Sequence, residues 1–292
     1  MSGNPSPYLQ IKPHSHAKYN IVRKYLAACK KFSDNYGNFA YIDTHGGTGN
    51  VLDIRRGEIT EGSVLLAAKV TPSFPCYVVE IDPDNFRLLK ESTKGLPNVT
   101  LFEGDCNQKI EEILELIPKG QKFVFCFLDP DGLVYRRGDF ACHELRWDTV
   151  NKIASFPRTE LLINVPLEAI LRTMGFIREN PTDERSDQMS QNLTLFFGSS
   201  GWQEIDPRDP QPMYRRILRL YLDLRLKPSY SFTGAILVTA ERLPVYYLAF
   251  GSKYKLGGHI MRNVMHKEYK GGRRPLIDFE QMYPLSQFIF DD

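Results

Sequence analysis

Residues 39–49 read Phe39-Ala40-Tyr41-Ile42-Asp43-Thr44-His45-Gly46-Gly47-Thr48-Gly49 and are the strongest indication of the fold in this sequence. An apolar run ends in an acidic residue, and a turn with three glycines follows it. Glycine adopts backbone angles that are closed to other residues, so such a turn lets a ligand approach the main chain. The spacing G-G-x-G does not fit the dinucleotide fingerprint G-x-G-x-x-G. The stretch therefore predicts a buried strand that leads into a glycine loop beneath a nucleotide-like ligand.

Asp43 stands at the predicted end of this strand, directly before Gly46, Gly47 and Gly49 of the loop. A carboxylate there suits a ligand with a positive centre, such as the amino acid end of S-adenosylmethionine (SAM). An apolar strand followed by a glycine turn is also common in α/β proteins that bind other ligands or none. A purely structural role for Asp43 and the glycines is therefore the alternative.

Four further apolar runs have the length of strands, and each ends in polar residues. They are Cys76–Asp82, Val99–Asn107, Lys122–Gly132 and Glu160–Pro166. Ligands of open α/β sheets bind at the carboxyl ends of the strands, near a point where the strand order reverses. Five polar tips in sequence therefore favour a ligand site along one edge of the sheet. The alternative for each tip by itself is a helix cap or a turn residue.

Two of these tips have a specific role in the predicted cofactor site. Glu80 lies at the tip of the second strand, where its carboxylate is placed to accept hydrogen bonds from both ribose hydroxyls. Asp105 follows the third strand, where its carboxylate can bind the adenine amino group. Cys106, the next residue, is included with Asp105 in the predicted site.

Helical periodicity alternates with the predicted strands. It predicts helices over residues 17–31, 62–69, 83–94, 107–117 and 147–154, with Ser63 and Asn107 as caps. This alternation indicates a mainly parallel sheet with helices on both faces. The chain is therefore expected to form a single α/β domain over residues 1–292, and no internal repeat is expected.

The pattern changes after Pro166. Residues 167–232 are expected to form a helical and loop insertion that acts as a lid or a substrate-binding element. Within it, residues 213–226 predict an amphipathic helix, and its apolar side consists of Ile217, Leu218, Leu220, Tyr221 and Leu224. Residues 234–239 and 245–250 predict two strands in an antiparallel hairpin. A parallel sheet with such a terminal hairpin is the Rossmann-like arrangement of class I methyltransferases.

Composition excludes several classes of protein. The chain has 292 residues, of which 42% are apolar and 25% are charged, as in ordinary globular domains. The net charge of +2 gives no strong overall field for nucleic acid. No apolar run approaches the ~20 residues that span a membrane, and the N-terminal residues lack the pattern of a secretion signal. Five cysteines without a C-x-x-C spacing indicate a reducing, cytoplasmic setting and no metal site.

A family resemblance rests on motifs that extend over about residues 12–260. They are Lys18, Ile21, Tyr25 and Leu26; Tyr41–Thr44 with Gly46, Gly47 and Gly49; Gly62 and Ser63; Glu80; Gly104–Asn107; Phe127–Pro130 with Gly132; Trp147; Leu162–Asn164 with Pro166; and Tyr247 with Leu248. In these motifs the chain resembles the three-Cys-motif partner (TcmP) proteins, which are SAM-dependent methyltransferase-like. The resemblance implies a class I methyltransferase fold, SAM as cofactor and a three-Cys-motif, radical-SAM-like partner protein. Family members generally carry an aromatic or apolar residue where His45 stands, so His45 either lines the SAM pocket or packs against the turn.

Asp129 and Asn164 are the candidate catalytic residues. SAM already carries an electrophilic methyl group, so the protein has to align donor and acceptor and to exclude water. Asp129, at the fourth strand tip, is predicted to lie beside the cofactor and to orient or deprotonate the acceptor. The alternative is a helix cap or a loop-fixing carboxylate. Asn164, at the fifth strand tip, is expected in the same crevice, and its alternative is a turn amide.

The segment Asp129-Pro130-Asp131-Gly132 differs from the motif of amino-base methyltransferases, which is Asn or Asp, then Pro-Pro, then an aromatic that stacks on the extruded base. The second proline and the aromatic are both absent, which argues against methylation of an adenine or cytosine amino group. Tyr135 is an alternative aromatic, although no pattern in the sequence places it against a base.

Three basic patches with nearby tyrosines are compatible with binding of a nucleic acid backbone. They are Arg136-Arg137, Arg215-Arg216-Arg219 and Lys270–Arg274. A solvated surface is the alternative for each patch. The sequence therefore predicts a SAM-dependent methyltransferase that acts on RNA or DNA. The alternatives are a SAM-fold binding or partner protein without methyl transfer, and a methyltransferase of a protein or a small molecule.

Overall fold

The computed structural model of the chain describes residues 6–36, 39–121, 123–205, 212–240 and 243–270, without the side chains of residues 32–36, 269 and 270. The predicted basic patch Lys270–Arg274 lies outside the described side chains. The chain divides into two compact units, Met1–Phe127 and Leu128–Asp292. Within the described ranges, no helix is both long enough and apolar enough to cross a membrane.

The first unit alternates strands with helices. Its strands are β1 (Leu9–Ile11), β2 (Phe39–Asp43), β3 (Asn50–Asp53), β4 (Glu58–Glu61), β5 (Cys76–Glu80), β6 (Val99–Glu103) and β7 (Phe123–Leu128). Its helices are α1 (Ser15–Tyr36), α2 (Ser63–Val70), α3 (Pro83–Ser92) and α4 (Cys106–Leu116).

Strand β2 is central in the first unit, because parallel strands flank it on both sides. Tyr41 of β2 pairs with Cys76 of β5 and with Phe125 of β7. Strand β5 pairs in parallel with β6, where Glu80 lies opposite Glu103. All residues of β2 and β5 are buried, as expected for parallel strands that are covered on both faces. The acidic ends of β2 and β5 therefore come to the same edge of the sheet.

Strands β1, β3 and β4 form a separate three-stranded sheet that the sequence analysis does not predict. Strands β3 and β4 pair as an antiparallel hairpin between the glycine loop and α2. Each has four residues, and only two residues of β3 and none of β4 are buried. Such short, exposed strands carry too little hydrophobic pattern to be recognised in a sequence.

The second unit adds strands, helices and two shorter helical turns. Its strands are β8 (Val134–Arg137), β9 (Phe140–His143), β10 (Thr159–Val165), β11 (Phe232–Ala240) and β12 (Leu243–Ser252). Its helices are α5 (Trp147–Ser155), α6 (Leu167–Glu179), α7 (Glu184–Phe197), α8 (Met213–Tyr221) and α9 (Lys255–Lys270), together with a 3-10 helix (Ser200–Glu204) and a π-helical turn (Leu222–Leu226).

Strand β12 is antiparallel to both of its neighbours. Leu248 of β12 pairs with Asn164 of β10 on one side and with Ile236 of β11 on the other. The main sheet is mostly parallel and has seven strands in the order β11-β12-β10-β7-β2-β5-β6. This confirms the predicted fold class, a Rossmann-like α/β sheet that ends in an antiparallel hairpin. Between β10 and β11 the described residues are mainly helical, while a role as a lid stays a prediction.

The predicted helix over residues 213–226 is wrong at its C-terminal end. Helix α8 ends at Tyr221, and the π-helical turn that follows is closed by a hydrogen bond from Lys227 N to Leu222 O of 2.9 Å. A π turn is wider than an α turn and shifts the later residues around the helix axis. Leu224, expected on the apolar side, is consequently 64% exposed, whereas Ile217 and the other predicted apolar residues are buried.

Candidate functional site

Asp43 is fully buried at the end of β2, and its carboxylate accepts hydrogen bonds from Tyr41, Ser63 and the backbone of His45. Oδ2 accepts hydrogen bonds from the Tyr41 hydroxyl (2.9 Å) and from Ser63 Oγ (2.7 Å). Oδ1 accepts a hydrogen bond from the backbone N–H of His45 (3.1 Å). A buried carboxylate requires such donors, and these tie the end of β2 to the glycine loop (residues 44–49) and to the start of α2. A contact between Asp43 and a ligand stays a prediction.

The sequence predicts Ser63 as the cap of α2, and this prediction is wrong. The residue in the N-cap position is Gly62, and no side chain caps the helix. Because the Ser63 hydroxyl is buried next to Asp43, it donates to that carboxylate instead. Strand β2 and helix α2 are thereby joined through two side chains.

Gly47 and Gly49 give the loop a path that other residues rarely adopt. Their φ angles are +59° and +73°. At Gly49, an added Cβ would also lie 2.7 Å from Ser92 Cβ of α3. The Ser92 hydroxyl donates to the carbonyl of Thr48 at 3.0 Å, which holds the loop against α3. The glycines are therefore required by the loop conformation and its packing, whether or not a ligand is bound.

Gly46 lets the loop approach β5. Its N–H donates to Val79 O at 2.8 Å, and an added Cβ would lie 2.5 Å from Val78 Cγ1 and 2.8 Å from Leu89 Cδ2. Val78 and Leu89 are buried and have no room to move. Close packing against β5 and α3 therefore explains why a side chain is not tolerated here.

Glu80, at the end of β5, contacts the glycine loop directly. Oε2 accepts a hydrogen bond from Gly47 N at 2.6 Å, and Oε1 accepts one from Asp82 N at 2.8 Å. The side chain is only 6% exposed. Burial raises the pKa of Glu80 to about 7, and the two backbone donors oppose that rise. Near neutral pH the group is therefore present in both charge states.

His45 belongs to the glycine loop, and Asp105 follows the tip of the next strand, β6. His45 is half-buried, and its Nδ1 lies 2.8 Å from Thr44 Oγ1. The N–H of Gly104 donates to the Glu80 carbonyl at 2.9 Å, which joins the tips of β5 and β6. Asp43, His45, Glu80 and Asp105 are thus all carried by the joined ends of β2, β5 and β6.

Asp105 is the N-cap of α4, the position that the sequence analysis gives to Asn107. Its Oδ1 accepts hydrogen bonds from Asn107 N (2.8 Å) and Asn107 Nδ2 (2.7 Å). Asp105 is better placed for this because it is the last residue with extended backbone before the helix. Cys106 is the first helical residue and is buried, while Asp105 remains half-exposed.

In the second unit, Asp129 and Asn164 contact each other. Asn164 Nδ2 donates to Asp129 Oδ1 at 2.9 Å and to the carbonyl of Pro130 at 3.0 Å. Asn164 is 4% exposed and Asp129 is 9% exposed. The two donated bonds fix the orientation of the amide. Asn164 Oδ1 is then a buried acceptor with no hydrogen-bond partner among the described residues.

Glu144 is a further acidic residue that contacts the loop after Asp129, and its role is not predicted from the sequence. Its Oε2 accepts hydrogen bonds from Asp131 N (2.6 Å) and Gly132 N (3.1 Å), so it fixes the loop that follows Asp129 (the Asp129 loop, residues 129–132). The pKa of Glu144 is raised to about 7, mainly by burial, and the negative charges of Asp131 and Asp129 add to this rise. No local pattern links Glu144 to the loop, because a hairpin separates them in sequence.

No family model and no curated protein matches the chain. Among solved structures it is similar to the protein LPL1258 from Legionella pneumophila, with 11% identity, a TM-score of 0.48, and coverage of 88% of this chain and 93% of that one. It is also similar to a candidate O-methyltransferase from Klebsiella pneumoniae, with 11% identity, a TM-score of 0.41 and coverage of 80% of each chain. A third similar structure is the methyltransferase domain of bacterial CtHen1-C, with 11% identity, a TM-score of 0.38, and coverage of 80% of this chain and 100% of that one.

The activity of this chain therefore stays a prediction. Without a matching family model, the resemblance to TcmP proteins and the three-Cys-motif partner stay predictions.

Proposed function

We propose that the chain is a SAM-dependent methyltransferase that acts on nucleic acid. The observation that supports this most is the 2.6 Å hydrogen bond from Gly47 N to Glu80 Oε2. An acidic side chain at the tip of the strand next to a glycine loop is the arrangement that binds the ribose of adenine-containing cofactors. The antiparallel hairpin that ends the parallel sheet supports the same class of enzyme.

The residues of the first unit fit SAM chemically. The Glu80 carboxylate suits the ribose hydroxyls, and the half-exposed Asp105 carboxylate suits the adenine amino group. His45 and Gly47 are half-exposed and line the loop, whereas Asp43 is fully buried. We therefore assign Asp43 to the amino acid end through the loop that it fixes. When bound, SAM supplies the electrophilic methyl group.

Asp129 and Asn164 are assigned to the methyl acceptor. A buried acceptor without a partner costs about 1–3 kcal/mol, so Asn164 Oδ1 favours a ligand that donates a hydrogen bond. An acceptor with an N–H or O–H group would satisfy it. The Asp129 carboxylate next to the amide is then in position to accept the proton that the nucleophile loses.

Nucleic acid is the acceptor class that the charged surface favours. Arg136 and Arg137 are exposed on β8, close in sequence to the Asp129 loop, and Arg219 is exposed on α8. Arginine binds phosphates through its planar fork of donors. A three-Cys-motif partner protein is part of this proposal only through the family resemblance.

A binding protein without methyl transfer is the second candidate. The burial of Asp129 and Asn164 favours it, because an acceptor has to reach both side chains before it can be methylated. Such a protein would bind SAM at the glycine loop and would transfer no methyl group to any substrate.

Calorimetric titration of SAM and S-adenosylhomocysteine into wild type and Glu80→Ala tests the cofactor site. We expect micromolar binding by wild type and at least tenfold weaker binding by the variant, because the ribose loses its hydrogen-bond acceptors. Glu103→Ala is the matched control, since Glu103 occupies the paired position on β6 and is exposed. Absence of binding by folded wild type would contradict the proposal.

A radiolabelled-methyl assay against RNA, DNA and protein extracts separates the two candidate functions. For the enzyme, we expect Asp129→Asn to lower the rate of transfer by roughly 100-fold or more while SAM binding is retained. Asp131→Asn is the control, because Asp131 is an exposed carboxylate two residues further along the same loop. SAM binding without transfer to any extract would favour the binding protein.

A further inference from the structure

Two hairpins carry nearly the same six residues at their tips. Residues 54–59 read Ile-Arg-Arg-Gly-Glu-Ile and residues 135–140 read Tyr-Arg-Arg-Gly-Asp-Phe. Both glycines have positive φ angles, +70° at Gly57 and +57° at Gly138. No internal repeat is expected from the sequence, and this short one becomes evident when both segments are seen as hairpins. The two differ chiefly in their apolar residues, which are aliphatic in the first unit and aromatic in the second.

The second hairpin, β8–β9 (residues 134–143), presents its aromatic side chains together with an arginine. Arg137 pairs with Phe140 and Tyr135 pairs with Cys142 across the strands, so Tyr135, Arg137 and Phe140 lie on one face. The rings of Tyr135 and Phe140 are 6.2 Å apart and inclined by 61°. Phe140 is 55% exposed, and Arg136 is exposed on the opposite face.

The base of this hairpin is fixed to the Asp129 loop. Glu144, the residue after β9, accepts hydrogen bonds from Asp131 N and Gly132 N, and its own N–H donates to Leu133 O at 3.2 Å. The residues before and after the hairpin are therefore held together, directly after Asp129 in the chain.

The chemistry of the tip favours one kind of partner. Large contiguous apolar patches mark protein–protein interaction sites, whereas Phe140 is a single exposed ring among the charged residues Arg136, Arg137 and Asp139. An exposed aromatic ring next to arginines matches an unpaired base next to its phosphates, since the base stacks on the ring and the phosphates bind the guanidinium groups.

We infer that hairpin β8–β9 binds single-stranded nucleic acid, with a base stacked on Phe140, a phosphate bound by Arg137 on the same face, and a neighbouring phosphate bound by Arg136 from the opposite face. This inference rests on the proposed function, in which nucleic acid is the methyl acceptor, and it names the hairpin as the element that binds this acceptor. The hairpin thereby supplies the aromatic contact that the Asp129-Pro130-Asp131-Gly132 segment lacks.

Fluorescence anisotropy with a labelled 12-nucleotide oligouridine, and with its thymidine counterpart, tests the stacking contact. Stacking of a base on an aromatic side chain is worth about 1–3 kcal/mol, so we expect Phe140→Ala to weaken binding at least about fivefold. Ile59→Ala is the matched control, because Ile59 is 58% exposed at the corresponding place in the aliphatic hairpin. Equal affinities of the Phe140→Ala and Ile59→Ala variants, or equal binding of a duplex of the same length by wild type, would overturn the inference.

The salt dependence of binding tests the arginines separately. For a single strand, the slope of log K against log salt changes by about 0.7 for each phosphate contact. We expect the double variant Arg136→Ala/Arg137→Ala to reduce the magnitude of this slope by about 0.7 or more. The double variant Arg55→Ala/Arg56→Ala should leave the slope unchanged. Equal slopes for the two double variants would overturn the assignment.

Failure of this inference is distinguishable from failure of the proposed function. Calorimetric SAM binding with no oligonucleotide binding by wild type would overturn the role of the hairpin alone. Oligonucleotide binding that depends on Phe140, in a protein that does not bind SAM, would support the hairpin and contradict the methyltransferase.

Discussion

At the scale of single residues, Asp43 connects the fold to the candidate site. Its carboxylate is fully buried and accepts hydrogen bonds from Tyr41, Ser63 and the backbone of His45. Burial of an unpaired charge is costly, so each of these donors contributes to stability as well as to the shape of the glycine loop. The residue that is predicted to attract the cofactor is therefore also one on which the loop depends.

We predict that Ser63→Ala lowers the free energy of unfolding by about 1.5–3 kcal/mol, the usual value for a hydrogen bond to a charged group. Tyr41→Phe removes the other donor to the same Oδ2 atom and should cost a similar amount. Urea unfolding of both variants and of the double variant measures the coupling between them, which we expect to exceed 0.5 kcal/mol. Ser73→Ala, at an exposed position, is the control, and a Ser63→Ala variant as stable as this control would contradict the prediction.

At the scale of elements, the end of α7 depends on one glycine. Gly198 follows the helix with a φ angle of +68°, a left-handed conformation that terminates many helices. An added Cβ would lie 2.8 Å from Trp147 Cβ, because the indole of Trp147, at the start of α5, packs directly on Gly198. The left-handed backbone and the close packing with α5 therefore both require glycine at this position.

We predict that Gly198→Ala destabilises the protein by about 2 kcal/mol or more. The left-handed conformation costs roughly 1–2 kcal/mol for a residue with a Cβ, and overpacking costs about 1–3 kcal/mol. Thermal unfolding measures the effect. Gly175→Ala is the matched control within α6, where an added Cβ meets nothing within 4 Å, and it should stabilise by about 0.5–1 kcal/mol. A change of the same sign at both glycines would contradict the explanation.

At the scale of the whole molecule, the buried Glu80 and the half-buried Glu144 contribute to the dependence of stability on pH. The pKa values of Glu80 and Glu144 are both raised to about 7, since burial disfavours the charged form. A raised pKa means that the folded state binds the proton more tightly than the unfolded state does. The resulting stability is fully present below about pH 4.5 and is lost as the pH rises through 7.

We predict that the free energy of unfolding falls between pH 5 and pH 8 by about 2 kcal/mol for each of the two groups. Glu144→Gln should remove the part of this fall that is due to Glu144. The loop should be retained, because a single amide oxygen can still accept from Asp131 N and Gly132 N. Urea unfolding at four pH values across the range measures it. The pKa of Asp183 is lowered to about 2 and acts in the opposite sense, but only at lower pH. Identical pH profiles of wild type and Glu144→Gln would contradict the prediction.

The strand tips are the part of the candidate site that could be predicted from the sequence. The apolar runs that end at Asp43, Glu80 and Asp129 are local patterns, and parallel strands bring their carboxyl ends to one edge by rule. The predicted cap at Asn107 is wrong because Asp105, two residues earlier, occupies the N-cap position, and the predicted apolar position of Leu224 is wrong because a π turn leaves no distinct pattern in the sequence. Local patterns therefore do not decide between nearby helix caps or reveal changes in helical register, short strands such as β3 and β4, and contacts such as that of Glu144 with the Asp129 loop.

Local sequence patterns were enough to predict which segments are buried strands, which residues end them and that the last two strands form a hairpin, because burial and backbone preference act over a few residues. The partners of these residues depend instead on the packing of the folded chain. Ser63 binds Asp43 from 20 residues away, and Glu144 binds the backbone of Asp131 from 13 residues away. The fold also places Phe140 and Arg137 on one face of a hairpin. Hydrogen bonds and surface clusters of this kind depend on where distant segments meet, which no local pattern specifies.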